Sequence, residues 1–167
     1  MQCTWELAAP RVEEAEALGA LHVAIWRHAY AGLMPQAHLD ALDPAASAAR
    51  WRETAARVDG GGWHDGVRAL VAREGGRPVG MAVGGRPREE GAPTACELWS
   101  LNVDPAFHGR GVARALTDAL LPEGAAHLWV LRGNGRAIAF YRKLGFELDG
   151  VEKWDDRHEC VDLRMLR

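Results

Sequence analysis

Leu98-Trp99-Ser100-Leu101-Asn102-Val103-Asp104-Pro105-Ala106-Phe107-His108-Gly109-Arg110-Gly111-Val112-Ala113-Arg114-Ala115-Leu116 runs from an extended segment into a helix through one short loop. The extended run ends at Val103, the loop carries His108, Gly109, Arg110 and Gly111, and helical spacing begins at Val112. A loop of this kind aims the unpaired amides of the helix's first turn at one point, where the helix dipole adds positive potential. Gly109 and Gly111 let the backbone approach a ligand closely, and Arg110 and Arg114 add charge. Diphosphate binding is the chemistry that asks for this arrangement. A plain strand-to-helix turn whose glycines adopt positive φ would read the same way when taken alone. The segment is neither a Walker A loop nor GxGxxG, because no Gly-Lys-Ser/Thr follows and the glycine spacing differs.

Outward from this stretch, the alternation changes the reading element by element. Toward the C-terminus, Leu128-Trp129-Val130-Leu131 reads as a short buried strand and Arg136 to Leu144 as a helix. A final pair of strands, Phe146–Trp154 and Glu159–Arg167, is joined at Asp155-Asp156-Arg157. Toward the N-terminus, Ala95–Val103 is a strand preceded by a Gly-, Pro- and charge-rich loop from Gly84 to Thr94. Val67–Glu74 and Arg77–Val83 form a hairpin turning at Gly75-Gly76. Residues 59–66, DGGGWHDG, read as a loop. Asp43-Pro44 is an N-cap and first-turn proline that starts a helix carrying Ala48, Trp51 and Ala55. Val12, Ala15, Leu18, Leu21 and Ile25 recur at helical steps, which predicts a helix from Pro10 to about Tyr30. Trp5 to Leu7 is a short opening strand. No repeat or linker interrupts this α/β order, so residues 1–167 are read as one domain.

The composition narrows the class further. In 167 residues, 48% are hydrophobic and 26% charged, and the formal charge is −3; this fits one globular domain and argues against a nucleic-acid-coating protein or a polybasic membrane binder. No apolar run approaches the roughly 18 residues needed to span a bilayer. The first ten residues lack a basic n-region and an apolar h-region, so the expectation is no signal peptide and a cytoplasmic location. Cys3, Cys96 and Cys160 show no CxxC or Cys/His ligand spacing, which points away from disulfides and from a metal site. Seven tryptophans stand beside two tyrosines and three phenylalanines. Trp5, Trp51, Trp129 and Trp154 fall where core packing suffices, whereas Trp26, Trp63 and Trp99 fall on one side of the expected site.

A second segment gives the first its meaning: Asn134-Gly135-Arg136-Ala137-Ile138-Ala139-Phe140-Tyr141-Arg142-Lys143-Leu144-Gly145-Phe146, directly after the 128–131 strand. Together the two segments resemble the GNAT superfamily of acyl-CoA-dependent N-acyltransferases. The family's diphosphate loop, Gln/Arg-x-x-Gly-x-Gly/Ala, is met by His108, Gly111 and Ala113, with His in place of the usual first residue. Its later Asn-x-x-Ala-x-x-Phe-Tyr-x-x-x-Gly-Phe is met at Asn134, Ala137, Phe140, Tyr141, Gly145 and Phe146. The likeness is strong over residues 95–167 and weak before them.

The resemblance implies a mixed, mostly antiparallel sheet of six to seven strands with about four helices. It also implies a splay between the strand ending at Val103 and the strand Leu128–Leu131. Acetyl-CoA would be the acyl donor, with no metal. The backbone of Leu101, Asn102 and Val103 would pair with the pantetheine arm. Amides from Gly109 through Arg110, Gly111 and Val112 to Ala113 would hold the diphosphate. Asn134, Ala137 and Phe140 would line the arm, and Lys143 or Arg136 would reach the nucleotide phosphate. Contact by His108 would depend on pH, since imidazole titrates near neutrality.

The same resemblance makes Tyr141 the general acid for the leaving thiolate, although a phenol beside Phe140 also suits core packing. Glu97 is a candidate general base: strict alternation would put it on one face with Trp99 and Leu101. A strand-edge carboxylate with no such role is the competing reading. His28, His64 and His158 are further candidates for the base, each equally suited to the surface or to packing. Cys96 reads as a small buried hydrophobe, and Arg132, Arg136, Arg142 and Lys143 as a basic helix face. Trp26, Tyr30 and Trp99 would form an aromatic wall for a small amine drawn in by cation–π attraction. A peptide amino terminus is the alternative acceptor, and a CoA-binding module without turnover is the alternative class. The terminal strands could pair across two subunits as a homodimer.

Overall fold

Alternation along the central strands decides how the layers stack. Leu70 and Ala72 belong to one apolar cluster, whereas Ala69 and Val71 belong to another. A strand sends successive side chains to opposite faces, so this sheet must be covered on both sides. The computed structural model describes residues 5–121 and 123–167. Its strands are β1 (Trp5–Ala8), β2 (Trp63–His64), β3 (Val67–Glu74), β4 (Arg77–Gly85), β5 (Glu97–Val103), β6 (His127–Leu131), β7 (Glu147–Asp155) and β8 (Cys160–Leu166). Its α-helices are α1 (Ala15–Ala29), α2 (Gln36–Asp40), α3 (Pro44–Arg57), α4 (Val112–Leu120) and α5 (Gly135–Arg142).

The sheet order is β1-β3-β4-β5-β6-β8-β7, with β2 paired to β3. Every pairing is antiparallel except β5–β6, which is parallel. One face is covered by α1 and α3, through Ala15, Leu18 and Trp51 packed on Ala69, Val71 and Met81. The other face is covered by α4 and α5, where Val112, Leu116, Leu120 and Tyr141 meet Leu70, Leu98, Leu128 and Met165.

Three departures from the sequence reading have local causes. The sheet has eight strands rather than six or seven, because Trp63 and His64, inside the stretch read as loop, pair with Arg68 and Val67. Five helices replace four, since Gln36–Asp40 coils after Pro35. The first helix starts at Ala15 rather than Pro10: Arg11 is extended and Val12–Glu14 forms a 3-10 turn. That turn is tied to the sheet by the fully buried Arg73, whose guanidinium donates to Glu14 (2.9 and 2.5 Å) and to the Ala9 carbonyl (2.8 Å). Cys96 and Cys160 are free thiols, and Cys3 lies outside the described residues. Among the described residues no helix is long and apolar enough to cross a membrane.

Close approach of backbones sets both helix layers. A Cβ on Gly80 or Gly84 of β4 would meet Leu116 at 3.2 Å or Leu120 at 2.4 Å, so α4 rests on a strip of small residues, Gly80, Ala82 and Gly84. A Cβ on Gly19 of α1 would lie 2.5 Å from the Ala48 nitrogen and 2.6 Å from the Pro44 carbonyl of α3. Gly19→Ala therefore destabilises the protein by about 1–3 kcal/mol through overpacking. This occurs even though alanine favours helix by up to about 1 kcal/mol over glycine. Chemical denaturation of the two proteins measures the difference, and an unchanged or higher stability would contradict the α1–α3 contact.

The same interface carries a pH dependence. Nδ1 of His22 lies 2.9 Å from the Ser47 hydroxyl, and burial, then the charge of Arg50, lowers its pKa to about 4. A base whose folded pKa lies below its unfolded value near 6.5 resists protonation in the folded state. Stability is then complete above pH 6.5 and falls as the pH drops toward 4. Melting temperatures measured over this window should decline less steeply in His22→Gln than in the wild type.

Candidate functional site

β5 and β6 are hydrogen-bonded neighbours at only two residue pairs, Glu97↔His127 and Leu98↔Leu128. Beyond Leu98 they part. β5 stays registered with β4 as far as Val103↔Gly80, and β6 with β8 as far as Leu131↔Asp162. The β6-facing backbone edge of residues 100–103 is thus left without a strand partner, and buried backbone groups demand one. A cavity of about 930 Å³ opens there, lined by Ser100, Leu101, Asn102 and Val103 on one side and Trp129, Val130 and Leu131 on the other. Its volume suits a small-molecule site.

The end of the cavity beside β5 is built by the loop into α4. Gly109 and Gly111 have φ of +77° and +86°, and a Cβ on either would meet nothing within 4 Å. The space beside them is open, and the backbone conformation there favours glycine. No side chain caps α4, whereas Asp43 caps α3 and Asn134 caps α5 by accepting from the Ala137 amide at 3.2 Å. Gly109, Gly111, Val112, Ala113 and Arg114 line the cavity, as does Arg136 at the start of α5. The uncapped first turn, its dipole and two nearby arginines give this end a positive potential.

His108 lines the cavity too, but its Nε2–H donates to the Val103 carbonyl at 3.1 Å. Burial and the neighbouring Arg136 lower its pKa, so the ring is neutral near pH 7. Two expected contacts are displaced. The Arg110 side chain turns away to Glu74 (2.5 Å) and stacks on the Phe107 ring, leaving only its backbone in the loop. Lys143 sits exposed at the far end of α5 from Asn134 and does not line the cavity.

α5 supplies Asn134, Ala137, Phe140 and Tyr141 to the wall. Tyr141 is packed edge-on against Phe140 and Phe146, with centroids at 5.2 and 6.0 Å. Burial, with the nearby Tyr30, pushes its phenol well above the usual range, so it remains protonated.

Glu97 lies elsewhere. It is 1% exposed, accepts from the Arg88 amide at 2.8 Å and from the Arg88 guanidinium at 2.9 and 2.5 Å, and lies 3.8 Å from His127. The β4–β5 register slips between Val83 and Gly84, which pair with Ser100 and Leu98 and leave Trp99 as a bulge. Leu98, Leu101 and Val103 consequently share one face, and Glu97 points to the other. A single-residue bulge reverses the alternation on which a shared face depends. Glu97 anchors the 86–96 loop and does not reach the cavity.

The opposite end of the cavity is aromatic and acidic. Trp26, Tyr30 and Trp99 line the cavity, as do His28, which is close enough to His108 to perturb it, and His158. Trp63 and His64 do not: Trp63 is 45% exposed on β2 under the Arg68 guanidinium. Trp129 and Trp154, read as core, are instead on the cavity wall, and Trp154 is 58% exposed at its rim. The sequence reading missed Asp155 and Asp162 of the β7–β8 hairpin, along with Lys153 and Arg88, all of which line the cavity. Asp155 accepts from His158 at 2.8 Å; burial raises its carboxyl, but bonds from His158 and the Arg157 amide outweigh that and hold it at about 2. The acidic turn Asp155-Asp156 was visible in sequence, but only as a turn.

Comparison with known proteins agrees with this architecture. Residues 25–146 match the family described as Acetyltransferase (GNAT) family. The chain is 37% identical over 103 residues to the N-alpha-acetyltransferase RimI of Mycobacterium tuberculosis, covering 58% of this chain and 62% of that protein. It is 39% identical over 93 residues to the mycothiol acetyltransferase of Propionibacterium freudenreichii, covering 52% of this chain and 30% of that protein. The chain thus spans less than two thirds of the length of these relatives. Among solved structures, a ribosomal-protein-alanine N-acetyltransferase from Brucella melitensis superposes with a TM-score of 0.70 at 24% identity, covering 97% of this chain and 98% of that one. The PaiA N-acetyltransferase of Thermoplasma acidophilum, in complex with coenzyme A, gives 0.68 at 16% identity with the same coverage. With its splayed strands, glycine loop and matched profile, the chain belongs to the acetyltransferase (GNAT) family.

Proposed function

We propose that this protein transfers an acetyl group from acetyl-CoA to a primary amine by direct attack. One observation carries the reading: the unpaired edge of β5, the uncapped α4 turn and the Tyr141 phenol all border a single cavity. The backbone of Leu101, Asn102 and Val103 would meet the amide-bearing pantetheine arm as a strand meets its neighbour. Amides from Gly109 to Ala113 would receive the diphosphate, and Arg114 and Arg136 would stand beside its charge. Asn134 has its Oδ1 committed to capping α5, so its side-chain nitrogen is the donor it can offer the arm.

Acyl transfer then needs a polarised carbonyl, a neutral amine and a protonated leaving thiolate. A β5 amide at Leu101 or Asn102 would polarise the carbonyl as an oxyanion-type donor. The amine nitrogen forms its bond to the carbonyl carbon, the C–S bond breaks, the Tyr141 O–H proton passes to sulfur, and the nitrogen's surplus proton restores the phenol. The apolar surroundings that keep the phenol protonated also disfavour the thiolate, which matches donor to acceptor despite the raised phenol pKa.

A small amine is the acceptor we favour, because the aromatic end of the cavity is walled by Trp26, Tyr30 and the β7–β8 hairpin. A peptide amino terminus is the second reading, favoured by the similarity to the RimI N-alpha-acetyltransferase. A panel of butylamine, phenethylamine, 1,4-diaminobutane and an N-terminal alanine dipeptide amide, assayed with acetyl-CoA by thiol release, separates the two. Faster turnover of the simple amines supports the first reading, and turnover of the dipeptide alone supports the second.

Two substitutions test the chemistry. Tyr141→Phe keeps acetyl-CoA affinity while turnover falls at least about tenfold, one decade corresponding to about 1.4 kcal/mol. Unchanged turnover would remove Tyr141 from the mechanism. Gly111→Glu places a negative side chain on a left-handed residue at the diphosphate site, and CoA binding measured by calorimetry should vanish with the fold retained by circular dichroism. Retained affinity would reject this loop as the diphosphate site.

A further inference from the structure

The splay turns the cavity into a passage between the two faces of the sheet. Val130 of β6 and Leu163 of β8 belong to the apolar cluster under α5, the face that carries Tyr141. Asp162 neighbours Leu163 on β8, so its side chain points to the opposite face, toward α1. It is registered with Leu131 on one side and Lys153 on the other, at the level where β5 and β6 have parted. Tyr30, at the C-terminal cap of α1, lines the same cavity as Asp162 and Tyr141, and the charge of Asp162 helps to raise its phenol.

The cavity's carboxylates are not equivalent. Asp155 is held by His158 and by the Arg157 amide. Asp156 is exposed in the hairpin turn, and Glu97 is locked to Arg88 outside the cavity. Asp162 lines the cavity and, among the described residues, has no side-chain hydrogen bond or ion pair. Trp26, Trp99, Trp129 and Trp154 line the same cavity; Arg88 and Lys153 already cover the rings of Trp99 and Trp129, which leaves Trp26 and Trp154 as aromatic faces that attract a cation entering from water.

We propose that Asp162 is the carboxylate that receives the acceptor ammonium and takes its proton, on the face opposite Tyr141. This rests on the transferase reading above. A carboxylate oxygen of Asp162 accepts one proton from the ammonium and leaves a neutral amine. The nitrogen lone pair forms the C–N bond, the C–S bond breaks, and Tyr141 protonates the sulfur. The attached nitrogen then gives up a second proton, which restores the phenol, and Asp162 releases its own proton to water, so one proton leaves per turnover.

The groups that face Asp162 set the pH at which it works. Burial raises its carboxyl, and Asp155 of β7 raises it further. Lys153 of β7, His158 of the hairpin and Arg88 of the 86–96 loop oppose the rise. Tyr30 of α1, itself pushed up to about 12 chiefly by burial and then by Asp162, stays a neutral donor beside it. A carboxyl placed above its usual range by burial is a better proton acceptor than an exposed one.

The test compares the wild type, Asp162→Asn and Asp162→Glu on the amine panel from pH 5.5 to 9.5, with CoA affinity measured in parallel. The wild type should reach its kcat/KM plateau near neutral pH. Asp162→Asn should bind CoA within about twofold of the wild type, lose at least tenfold in kcat/KM at pH 7, and rise steadily with pH as the free amine appears. Asp162→Glu should recover part of the neutral plateau. If the wild type turns over an amine and Asp162→Asn stays within threefold with the same profile, the assignment of Asp162 is overturned and the transferase reading stands. If the wild type binds CoA and acetylates nothing in the panel, the transferase reading fails, and with it any proton for Asp162 to take.

Discussion

The loss of pairing between β5 and β6 after Leu98↔Leu128 organises the rest of the molecule. A parallel pair that stops after two residues leaves a row of amides and carbonyls in the interior of a sheet, where each ordinarily costs free energy unless it is bonded. The fold does not fill that opening with its own chain. Instead β6 is held from the other side by β8, β5 is held by β4, and α4 and α5 brace the two edges against one apolar cluster. The opening is therefore a rigid slot with backbone hydrogen-bonding capacity along one wall. An extended, amide-bearing ligand is complementary to such a wall in the way an added strand is.

Around the slot the charges are unevenly distributed. Arg114 and Arg136 stand with the uncapped helix at one end, and Asp155 and Asp162 stand with four tryptophans at the other. At the hairpin end Arg88, Lys153 and Arg157 offset Asp155, Asp156 and Asp162, whereas among the described residues no carboxylate lines the cavity beside the α4 turn. Tyr141 lines the same cavity with its ring packed edge-on against Phe140 and Phe146.

Much of this was legible from residues whose role is set by the backbone. Gly109 and Gly111 announce positive φ before a helix, and Asn134 announces a cap. The Phe140-Tyr141 pair followed by Gly145-Phe146 fixes the register of α5 over the sheet. Such signals survive because they depend on neighbours in sequence. The acceptor end was less readable for the complementary reason. Glu97 was placed by strict alternation, and a bulge at Trp99, invisible in composition, reversed the face. Asp162 sits on a strand whose cavity side is decided by a partner thirty residues away, so nothing in its own neighbourhood marks it. Trp129 and Trp154 look like core residues because the gap beside β6 exists only once the sheet has formed, while Trp63 is drawn off by its short pairing with β3.

The buried Glu97–Arg88 clamp has an evolutionary consequence. Residues 86–96 contribute Arg88 to the cavity wall, yet the loop is fastened by a carboxylate that does not itself line the cavity. A chain segment moored by one interior ion pair can change length and composition between its anchor points while the strand beneath keeps its register. Loop and sheet are thereby decoupled in heredity: drift between the anchor points can vary the chain beside the cavity while the unpaired edge of β5 keeps its place.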